Sequence, residues 1–423
     1  MNVTLSIYSM VMRGLQPWLL RKLKRRAVQE PLYGHAVAER LGVYTSQPWP
    51  ADGRTVWVHA VSLGETRAAA LLVQALRAVL PEMRLLLTHG TATGRHEGQS
   101  LLQAGDAQVW LPWDTPAATR AFLAHHQPAI GILLETEMWP NLIHQAQRAG
   151  VPMVLANARM SAQSLKQAQR LKWLAQPAFA GLSAVLAQTQ DDAQRLMQLG
   201  APLPRVLGNM KFDAQPNEAQ QLQGRRWREM CGRPVVMLAS SREGEEASWL
   251  SAIKGLNDDV QWLVVPRHPQ RFDEVAALIT QAGWSLSRRQ TWTDAPQAAQ
   301  VWLGDSMGEM ALYYGMSDVA LLGGSFEPLG GQNLIEAAAC ACPVIMGPHT
   351  FNFTQAAELA LQAGAALRCP DMPQALEAAM ALVSSPAHGQ MKDAAVGFAL
   401  AHRGAVERTA QAIHALLRLK PRV

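Results

Sequence analysis

The chain has 423 residues, about three times the commonest domain size, so its length predicts two domains. Hydrophobic residues make up 49% of it and charged residues only 17%, which excludes an intrinsically disordered chain. Its 31 glycines show no repeat and its 4 cysteines form no CxxC pair, so neither a collagen-like chain nor a disulfide scaffold fits. Cys340 and Cys342 lie in an alanine-rich apolar run, which favours buried thiols over metal ligands and a reducing, cytosolic compartment.

The net charge of +5 is distributed unevenly, because residues 1–12 carry no charge and residues 21–26 include five basic side chains. The first stretch is too short to span a bilayer, which takes roughly 20 residues. A signal peptide would carry its charges before the apolar stretch. We therefore expect residues 1–26 to form a membrane-associated helix lying on an anionic surface, with Trp18 at the boundary. The alternative is an ordinary N-terminal helix packed on its own domain.

From residue 54 onward, short apolar runs alternate with segments long enough to form helices, which predicts a parallel sheet covered on both faces. The first strand is predicted at 55–61, and the helix that follows it at 65–80. Further strands are predicted at 83–88, 108–111, 129–134, 151–156 and 183–187, and then at 234–239, 260–265, 301–303, 319–322 and 343–346.

The pattern predicts an α/β protein with two Rossmann-like domains. The first domain is expected at 27–213, a Gln-rich linker at 214–230, and the second domain, including the C-terminal helices, at 231–423. Ligands of such sheets bind beyond the carboxyl ends of the strands, so the cleft between the domains is the expected site.

Two loops of the first domain carry carboxylates directly after predicted strands. The spacing of Glu65 alone favours a simple first-turn acid that interacts with the helix dipole. Glu135 and Glu137 follow a strongly apolar strand and are a candidate acid/base or electrostatic pair. Lys211 could stabilise an anion in the cleft, or it could be an ordinary surface lysine.

Loops of the second domain combine glycines with polar residues, at 266–269, 304–309, 323–325 and 330–336. Glycine lets a ligand approach the backbone closely, and a helix N-terminus offers N–H groups to phosphate, so together these loops indicate a nucleotide. Glu336 could accept hydrogen bonds from ribose hydroxyls. There is no metal-site spacing, no P-loop and no Gly-x-Ser-x-Gly motif. The chain also lacks a basic stripe, so no nucleic-acid partner is expected.

These loops resemble the Kdo transferases, glycosyltransferases of lipopolysaccharide synthesis that act on 3-deoxy-D-manno-octulosonic acid (Kdo). Seven blocks match in order along nearly the whole chain. They read HAVSLGE from residue 59, ETEMWPNL from 135, NARMS from 157, KFD from 211, PRHP from 266, GDSMGE from 304 and GPHTFNF from 347. The resemblance implies the GT-B architecture, in which two Rossmann-like domains face each other across a cleft.

The resemblance also implies the reaction, which is transfer of Kdo from CMP-Kdo to a lipid A precursor of the lipid IVA type, with inversion at the anomeric carbon. It implies the cytoplasmic face of the bacterial inner membrane as the location. Glu65 would be the general base, and Glu135 and Lys211 would stabilise the transition state. The residues implied to bind CMP are Pro266, Arg267, Met307, Gly308, Glu309, Asn333, Leu334, Ile335 and Glu336. No metal or other cofactor is expected, since CMP is already a good leaving group.

Two alternatives stay open. One is a GT-B enzyme that uses another nucleotide sugar on a lipid-linked acceptor, which competition by UDP rather than CMP would reveal. The other is a non-catalytic relative that binds nucleotide or membrane, and the presence of Glu65, Glu135 and Lys211 argues against it.

Overall fold

The structure is a computed structural model that describes residues 3–256 and 259–418. It divides into two compact units, one formed by residues up to 213 together with those from 403 onward, and one formed by residues 214–402.

The first unit is built on a parallel sheet of seven strands in the order β3-β2-β1-β4-β5-β6-β7. Its strands are β1 (Thr55–His59), β2 (Arg84–His89), β3 (Ala107–Trp110), β4 (Ile130–Leu134), β5 (Met153–Ala158), β6 (Ala184–Ala187) and β7 (Arg205–Val206). Its first eight helices are α1 (Val3–Gln29), α2 (Leu63–Val79), α3 (Ala92–Gly98), α4 (Pro116–His126), α5 (Pro140–Arg148), α6 (Ala162–Arg170), α7 (Lys172–Ala180) and α8 (Gln190–Gln198).

The core of the first unit lies on both faces of its sheet. Val56 and Val58 point into one apolar cluster, and Trp57 between them points into another, as the alternation of side chains along a strand requires. Every residue of β4 is buried. Such continuous burial explains why the sequence shows unbroken apolar runs rather than alternation.

The second unit repeats this plan with strands in the order β10-β11-β9-β8-β12-β13-β14. Its strands are β8 (Val235–Ser241), β9 (Gln261–Pro266), β10 (Leu286–Arg288), β11 (Val301–Leu303), β12 (Val319–Leu322), β13 (Val344–Met346) and β14 (Ala366–Arg368). Its helices are α9 (Glu218–Cys231), α10 (Glu245–Ile253), α11 (Phe272–Gln281), α12 (Met310–Gly315), α13 (Leu334–Ala339), α14 (Thr354–Gln362), α15 (Met372–Val383) and α16 (Ala387–Ala401). The predicted pair of Rossmann-like α/β domains is confirmed.

The predicted linker at 214–230 is wrong, because most of it forms helix α9 of the second unit. The helix packs through few positions. Trp227 is buried, and Gly224 lies so close to α12 that a Cβ at this position would clash with the Leu312 carbonyl oxygen. A polar helix with so few buried residues shows no apolar periodicity in its sequence.

The assignment of the whole of 231–423 to the second domain is also wrong, because the chain returns to the first unit at residue 403. The last described helix, α17 (Ala405–Arg418), places Val406, Ala410 and Ile413 in the first unit's core. The Asp213 carboxylate accepts hydrogen bonds from the N–H groups of Gly404 and Val406, and so fixes the start of this helix.

Helix α1 begins at Val3, includes the rest of the predicted N-terminal segment and continues to Gln29. Among the described residues, no helix combines the length and the apolar character needed to cross a membrane.

Candidate active site

The candidate catalytic residues of the first unit meet at the carboxyl edge of its sheet. Strands β1 and β4 are neighbours, with His59 opposite Leu133. The loop after β1 leads to Glu65 in the first turn of α2, and the loop after β4 carries Glu135 and Glu137. The order of the strands therefore brings together loops that are about 70 residues apart in the chain.

Glu65 is held by its own helix turn. Its Oε1 accepts a hydrogen bond of 2.9 Å from the Ser62 hydroxyl, and its Oε2 accepts one of 2.9 Å from the Val61 N–H. Ser62 in turn caps α2 by accepting the Glu65 N–H. Glu65 is thus an acid in the first turn of α2, as its spacing indicates, and its side chain keeps a partly exposed position at the edge of the sheet.

Glu135 and Lys211 form an ion pair, with 2.7 Å between Lys211 Nζ and Glu135 Oε1. The Lys211 side chain is only 25% exposed and the Glu135 side chain only 15%, so solvent screens their attraction weakly. Lys211 lies between Met210 and Phe212, and burial of these two side chains fixes the direction of the short turn.

The backbone at Glu135 is strained, since its φ of 58° lies in the left-handed region that side chains other than glycine rarely adopt. Strand β5 and the residue that follows it hold Glu135 in this conformation from both sides. The Glu135 N–H donates to the Ala156 carbonyl, and the Glu135 carbonyl accepts from the Arg159 N–H. Strain of this kind is common at functional sites.

Glu137 lies beside a fully buried imidazole, with 3.9 Å between Glu137 Oε2 and His59 Nε2. Burial, reinforced by the negative charge of Glu65, raises the pKa of Glu137 to about 7. Burial also lowers the pKa of His59 to about 3, so this imidazole is neutral at physiological pH. His59 belongs to a matched sequence block, but its contact with Glu137 depends on tertiary packing that the sequence does not show.

The pKa of Glu65 reflects two opposed sets of neighbours. Burial raises it above its usual value, and so does the charge of Glu135. The Val61 N–H, the Ser62 hydroxyl and the Lys211 ammonium act in the opposite direction. Glu65 is therefore a carboxylate whose basicity depends on the Glu135–Lys211 pair.

The candidate CMP-binding residues of the second unit also lie at the carboxyl ends of strands. Pro266 is the last residue of β9 and Arg267 follows it. Residues 307–309 follow β11, and residues 333–336 lie after β12 at the start of α13. Arg267 links the loops, because its N–H donates to the Ser241 carbonyl and its Nε donates to Gln332 Oε1 at 3.2 Å. All three segments therefore lie along one edge of this sheet.

In the segment 333–336, fewer side chains are accessible to a ligand than the sequence indicates. Leu334 and Ile335 are buried, so only their backbone can face a ligand. The Ile335 N–H is already bonded to Asn333 Oδ1 at 3.1 Å. Glu336 is partly exposed in the first turn of α13 and keeps a carboxylate at this edge.

The segment 307–309 combines an exposed Met307 with a Gly308 whose φ is 78°. Glu309 is engaged by its own unit, because Oε1 accepts a 2.8 Å hydrogen bond from Arg289 and Oε2 accepts one from the Ser306 hydroxyl. These contacts hold the loop in shape and leave the Met307 side chain as its most exposed part.

Sequence reasoning missed Glu245, a buried carboxylate at the start of α10. It accepts hydrogen bonds from the N–H groups of Gly324, Arg242 and Phe326 at 2.7, 2.9 and 3.1 Å. Glu245 thereby fixes the glycine turn at 323–325. No group of three or more His, Cys, Asp or Glu side chains suited to a metal ion occurs in the described part of the chain.

Comparisons with known proteins place this site in a family. A family model described as 3-deoxy-D-manno-octulosonic-acid transferase (kdotransferase) matches residues 35–214. The 3-deoxy-D-manno-octulosonic acid transferase of Bordetella pertussis is 49% identical over 424 residues, which cover 96% of this chain and 98% of that protein. The enzyme of the same name from Haemophilus influenzae is 33% identical over 410 residues, which cover 95% and 96%.

A solved glycosyltransferase from Rickettsia africae shares the fold, with a TM-score of 0.58 at 13% identity over 89% of this chain and 100% of that one. The architecture is accordingly of the GT-B type. Together with the two full-length relatives, these findings establish that the chain belongs to the 3-deoxy-D-manno-octulosonic acid transferases, a family of glycosyltransferases.

Proposed function

We propose that this protein transfers Kdo from CMP-Kdo to a hydroxyl of a lipid A precursor of the lipid IVA type, with Glu65 as the general base. The observation that carries the proposal is the position of Glu65, a partly exposed carboxylate beside the Glu135–Lys211 ion pair at the carboxyl edge of the first sheet.

Glu65 has the properties that a general base needs. The hydrogen bonds from Val61 and Ser62 hold its carboxylate in one orientation and leave further lone pairs for an acceptor hydroxyl. The bond from the acceptor oxygen to the anomeric carbon forms as the bond to the CMP phosphate breaks, and the hydroxyl proton passes to Glu65. A positioned base of this kind contributes typically ~10²–10⁴-fold to the rate.

The ion pair supplies complementary charges. The Lys211 ammonium stabilises negative charge, either on the carboxylate of Kdo or on the departing CMP. The Glu135 carboxylate stabilises the oxocarbenium character that develops at the anomeric carbon. Their 2.7 Å contact holds the two groups next to each other.

CMP would be held by the second unit, through Pro266 and Arg267, residues 307–309 and residues 333–336. Arg267 contributes a positive charge, Glu336 a hydrogen-bond acceptor, and Leu334 and Ile335 only their backbone, since their side chains are buried. The leaving phosphate needs no metal for its departure.

We further propose that α1 lies on the anionic cytoplasmic face of the inner membrane, where the acceptor lipid is anchored. Exposed apolar side chains follow one another at helical spacing along α1, and the basic run at 21–26 comes directly after them. These exposed side chains are Val3, Ile7, Met10, Val11, Leu15 and Trp18. An apolar stripe next to a basic cluster suits a helix in the plane of an anionic membrane.

The test is mass spectrometry of a tetraacylated lipid A precursor incubated with the purified protein and CMP-Kdo generated in situ. A product heavier by one or more Kdo residues is expected, as is inhibition by CMP and not by UDP. Glu65→Gln should abolish transfer, whereas Glu82→Gln, at an exposed glutamate of the same unit, should leave it intact. No addition by the wild-type protein would refute the reaction, and a fully active Glu65→Gln variant would refute the base assignment.

A further inference from the structure

The topological switch point of the second sheet lies between β8 and β12. Strand β8 connects along the chain to β9 on one side, and β12 connects to β13 on the other. In open parallel α/β sheets, ligands bind beyond the carboxyl ends of the two strands at such a point. The loops there are residues 242–244 after β8 and 323–325 after β12, and neither belongs to the segments proposed to hold CMP.

Backbone N–H groups at these loops are already bonded to a carboxylate of the protein. Glu245 Oε2 accepts the N–H groups of Arg242 and Gly324 at 2.9 and 2.7 Å. Its Oε1 accepts the Phe326 N–H at 3.1 Å. A helix N-terminus at this place commonly offers its N–H groups to a phosphate. Here these three N–H groups are not free for an anion, so the positive charge that an anion needs has to come from side chains.

Two arginines begin at neighbouring points of this edge. Ser241 of β8 pairs with Pro266 of β9. Arg242 and Arg267 are the residues that follow this pair in the chain. The Arg267 N–H donates to the Ser241 carbonyl at 3.0 Å, which joins the two strand ends. The two arginine side chains therefore start from adjacent backbone positions.

Both arginine side chains lie beside the glycine turn at 323–325. A Cβ at Gly324 would lie 3.6 Å from Arg242 Cγ and 3.2 Å from Gln332 Nε2. The other polar atom of that amide, Gln332 Oε1, accepts a 3.2 Å hydrogen bond from Arg267 Nε. Arg242 thus contacts the turn directly and Arg267 contacts it through Gln332, which places two positive charges beside one turn.

The Arg242 guanidinium is available to a ligand. Among the described residues, only its Nε forms a hydrogen bond, which runs to Glu243 Oε2 at 3.0 Å. The Arg242 side chain is 25% exposed and that of Glu243 is 55% exposed, and an ion pair with so exposed a partner contributes little. Arg271, by contrast, is paired with Glu246 at 2.6 Å and with Glu274 at 3.0 Å. Arg242 therefore keeps both terminal nitrogens for a bidentate contact with an oxyanion.

We infer that Arg242 is a donor-binding residue whose guanidinium binds an oxyanion of CMP-Kdo next to Arg267, beside the turn at 323–325. The inference rests on the proposed function and adds the loop after β8 to the donor site. CMP-Kdo carries two negative groups, the phosphate of CMP and the carboxylate of Kdo, and both are attached to the anomeric carbon. Two guanidinium groups that lie side by side match such a pair of anions.

The test is calorimetric titration of the full-length Arg242→Gln variant with CMP and with cytidine, together with its KM for CMP-Kdo. If Arg242 binds the phosphate, the affinity for CMP should fall by about 10- to 100-fold, the usual effect of losing a hydrogen bond to a charged group. If it binds the Kdo carboxylate, the affinity for CMP should stay the same and KM for CMP-Kdo should rise by a similar factor. Cytidine carries no negative charge, so its affinity should not change in either case.

Two further variants separate ligand binding from folding. Arg242→Lys keeps the charge without the planar fork and should recover part of the lost affinity. Glu243→Gln removes the carboxylate that competes for Arg242, so it should strengthen binding of the anion by about two- to fivefold. Arg226→Gln, at an exposed arginine of α9, is the matched control and should change neither the affinities nor KM.

Three results would overturn the role of Arg242. One is an Arg242→Gln variant with unchanged affinity for CMP and unchanged KM for CMP-Kdo. Another is an equal loss of affinity for CMP and for cytidine, which is what a structural role produces. The third is weaker anion binding by Glu243→Gln. The proposed function fails separately if the wild-type protein binds CMP but transfers no Kdo, and titrations with CMP, cytidine and CMP-Kdo then still decide the role of Arg242.

Discussion

Glu65 interacts with two charged neighbours of opposite sign, and this makes its role measurable. The charge of Glu135 raises the pKa of Glu65, and the ammonium of Lys211 lowers it. Lys211 and Glu135 are also bonded to each other, so their effects on Glu65 partly cancel in the wild-type protein. In the wild-type protein the two charges are 2.7 Å apart. Removing the charge of either residue therefore leaves the charge of the other without its partner.

We therefore predict opposite shifts in the pH dependence of Glu135→Gln and Lys211→Gln. A general base acts when ionised, so kcat/KM rises with pH through the pKa of Glu65. Loss of the Glu135 charge should lower that pKa and move the rise to lower pH. Loss of the Lys211 charge should raise it and move the rise to higher pH. Both variants should also lose ~10²–10³ in kcat at their best pH, the usual cost of removing an electrostatic stabiliser.

The measurement is a profile of kcat/KM against pH for the two variants and the wild-type protein. Shifts in the same direction would contradict the assignment of Glu65 as the titrating base. Glu82→Gln provides the reference for a charge lost elsewhere in the same unit.

At the scale of elements, α1 has two faces with different partners. Its exposed face carries the apolar stripe, whereas Leu5 and Ser9 on the other face are buried. The Ser9 hydroxyl donates to Asn141 Oδ1 at 2.9 Å. Asp114 accepts the N–H groups of Asn141 and Leu142 at 3.0 and 2.8 Å, which caps the start of α5. Helix α1 thus packs against α5, the helix that begins directly after the loop with Glu135 and Glu137.

This arrangement predicts that membrane binding and catalysis can be separated by substitution but not by deletion. The triple variant Ile7→Ser, Met10→Ser, Trp18→Ser removes exposed side chains that touch a lipid surface in the proposal. A buried apolar side chain is worth ~1.5–3 kcal/mol, so partial immersion of three should make the loss of liposome affinity at least about tenfold. Turnover of a short, detergent-soluble acceptor should stay at the wild-type level.

Deletion of residues 1–26 should reduce both liposome binding and turnover, because it uncovers Asn141 and the start of α5. Co-sedimentation with anionic liposomes and steady-state assays measure the two effects. Leu203→Ser, at an exposed leucine outside α1, is the matched control. Unchanged liposome binding by the triple variant would contradict the membrane proposal for α1.

The elements that the sequence did not predict share a physical cause. Strands β7, β10 and β14 lie at sheet edges, and most of their side chains are at least partly exposed, so their sequences contain no buried apolar run. The eleven predicted strands, by contrast, are buried and apolar, and they are all present within a few residues of the expected bounds.

At the scale of the whole molecule, the sequence predicted which loops carry chemistry, because these loops follow the long buried strands whose position the apolar runs reveal. It could not predict contacts between distant parts of the chain. The Asp213 carboxylate bonds to the N–H of Val406, almost two hundred residues away, and no local pattern reports this bond. The contact of His59 with Glu137 is of the same kind, since it exists only once β1 and β4 are paired.

Because α17 belongs to the first unit although it follows the second in the chain, we can predict which fragments of the chain fold on their own. Residues 1–213 alone should fail to fold stably, because removal of α17 exposes the part of the core that Val406, Ala410 and Ile413 cover. Covering such side chains is worth ~1.5–3 kcal/mol each, against a total stability of about 5–15 kcal/mol for a domain. Residues 1–213 joined to 403–423 by a short flexible linker should fold.

Residues 214–402 should fold alone and bind CMP, since the segments proposed to hold CMP all lie within them. Thermal unfolding of each fragment and calorimetric titration with CMP give the answer. Within the full chain, Ile413→Ala should destabilise the first unit by ~2–5 kcal/mol and leave the affinity for CMP unchanged, because Ile413 belongs to the first unit's core. A stable fragment 1–213 would contradict the role of α17, and a folded fragment 214–402 that does not bind CMP would contradict the proposed CMP site.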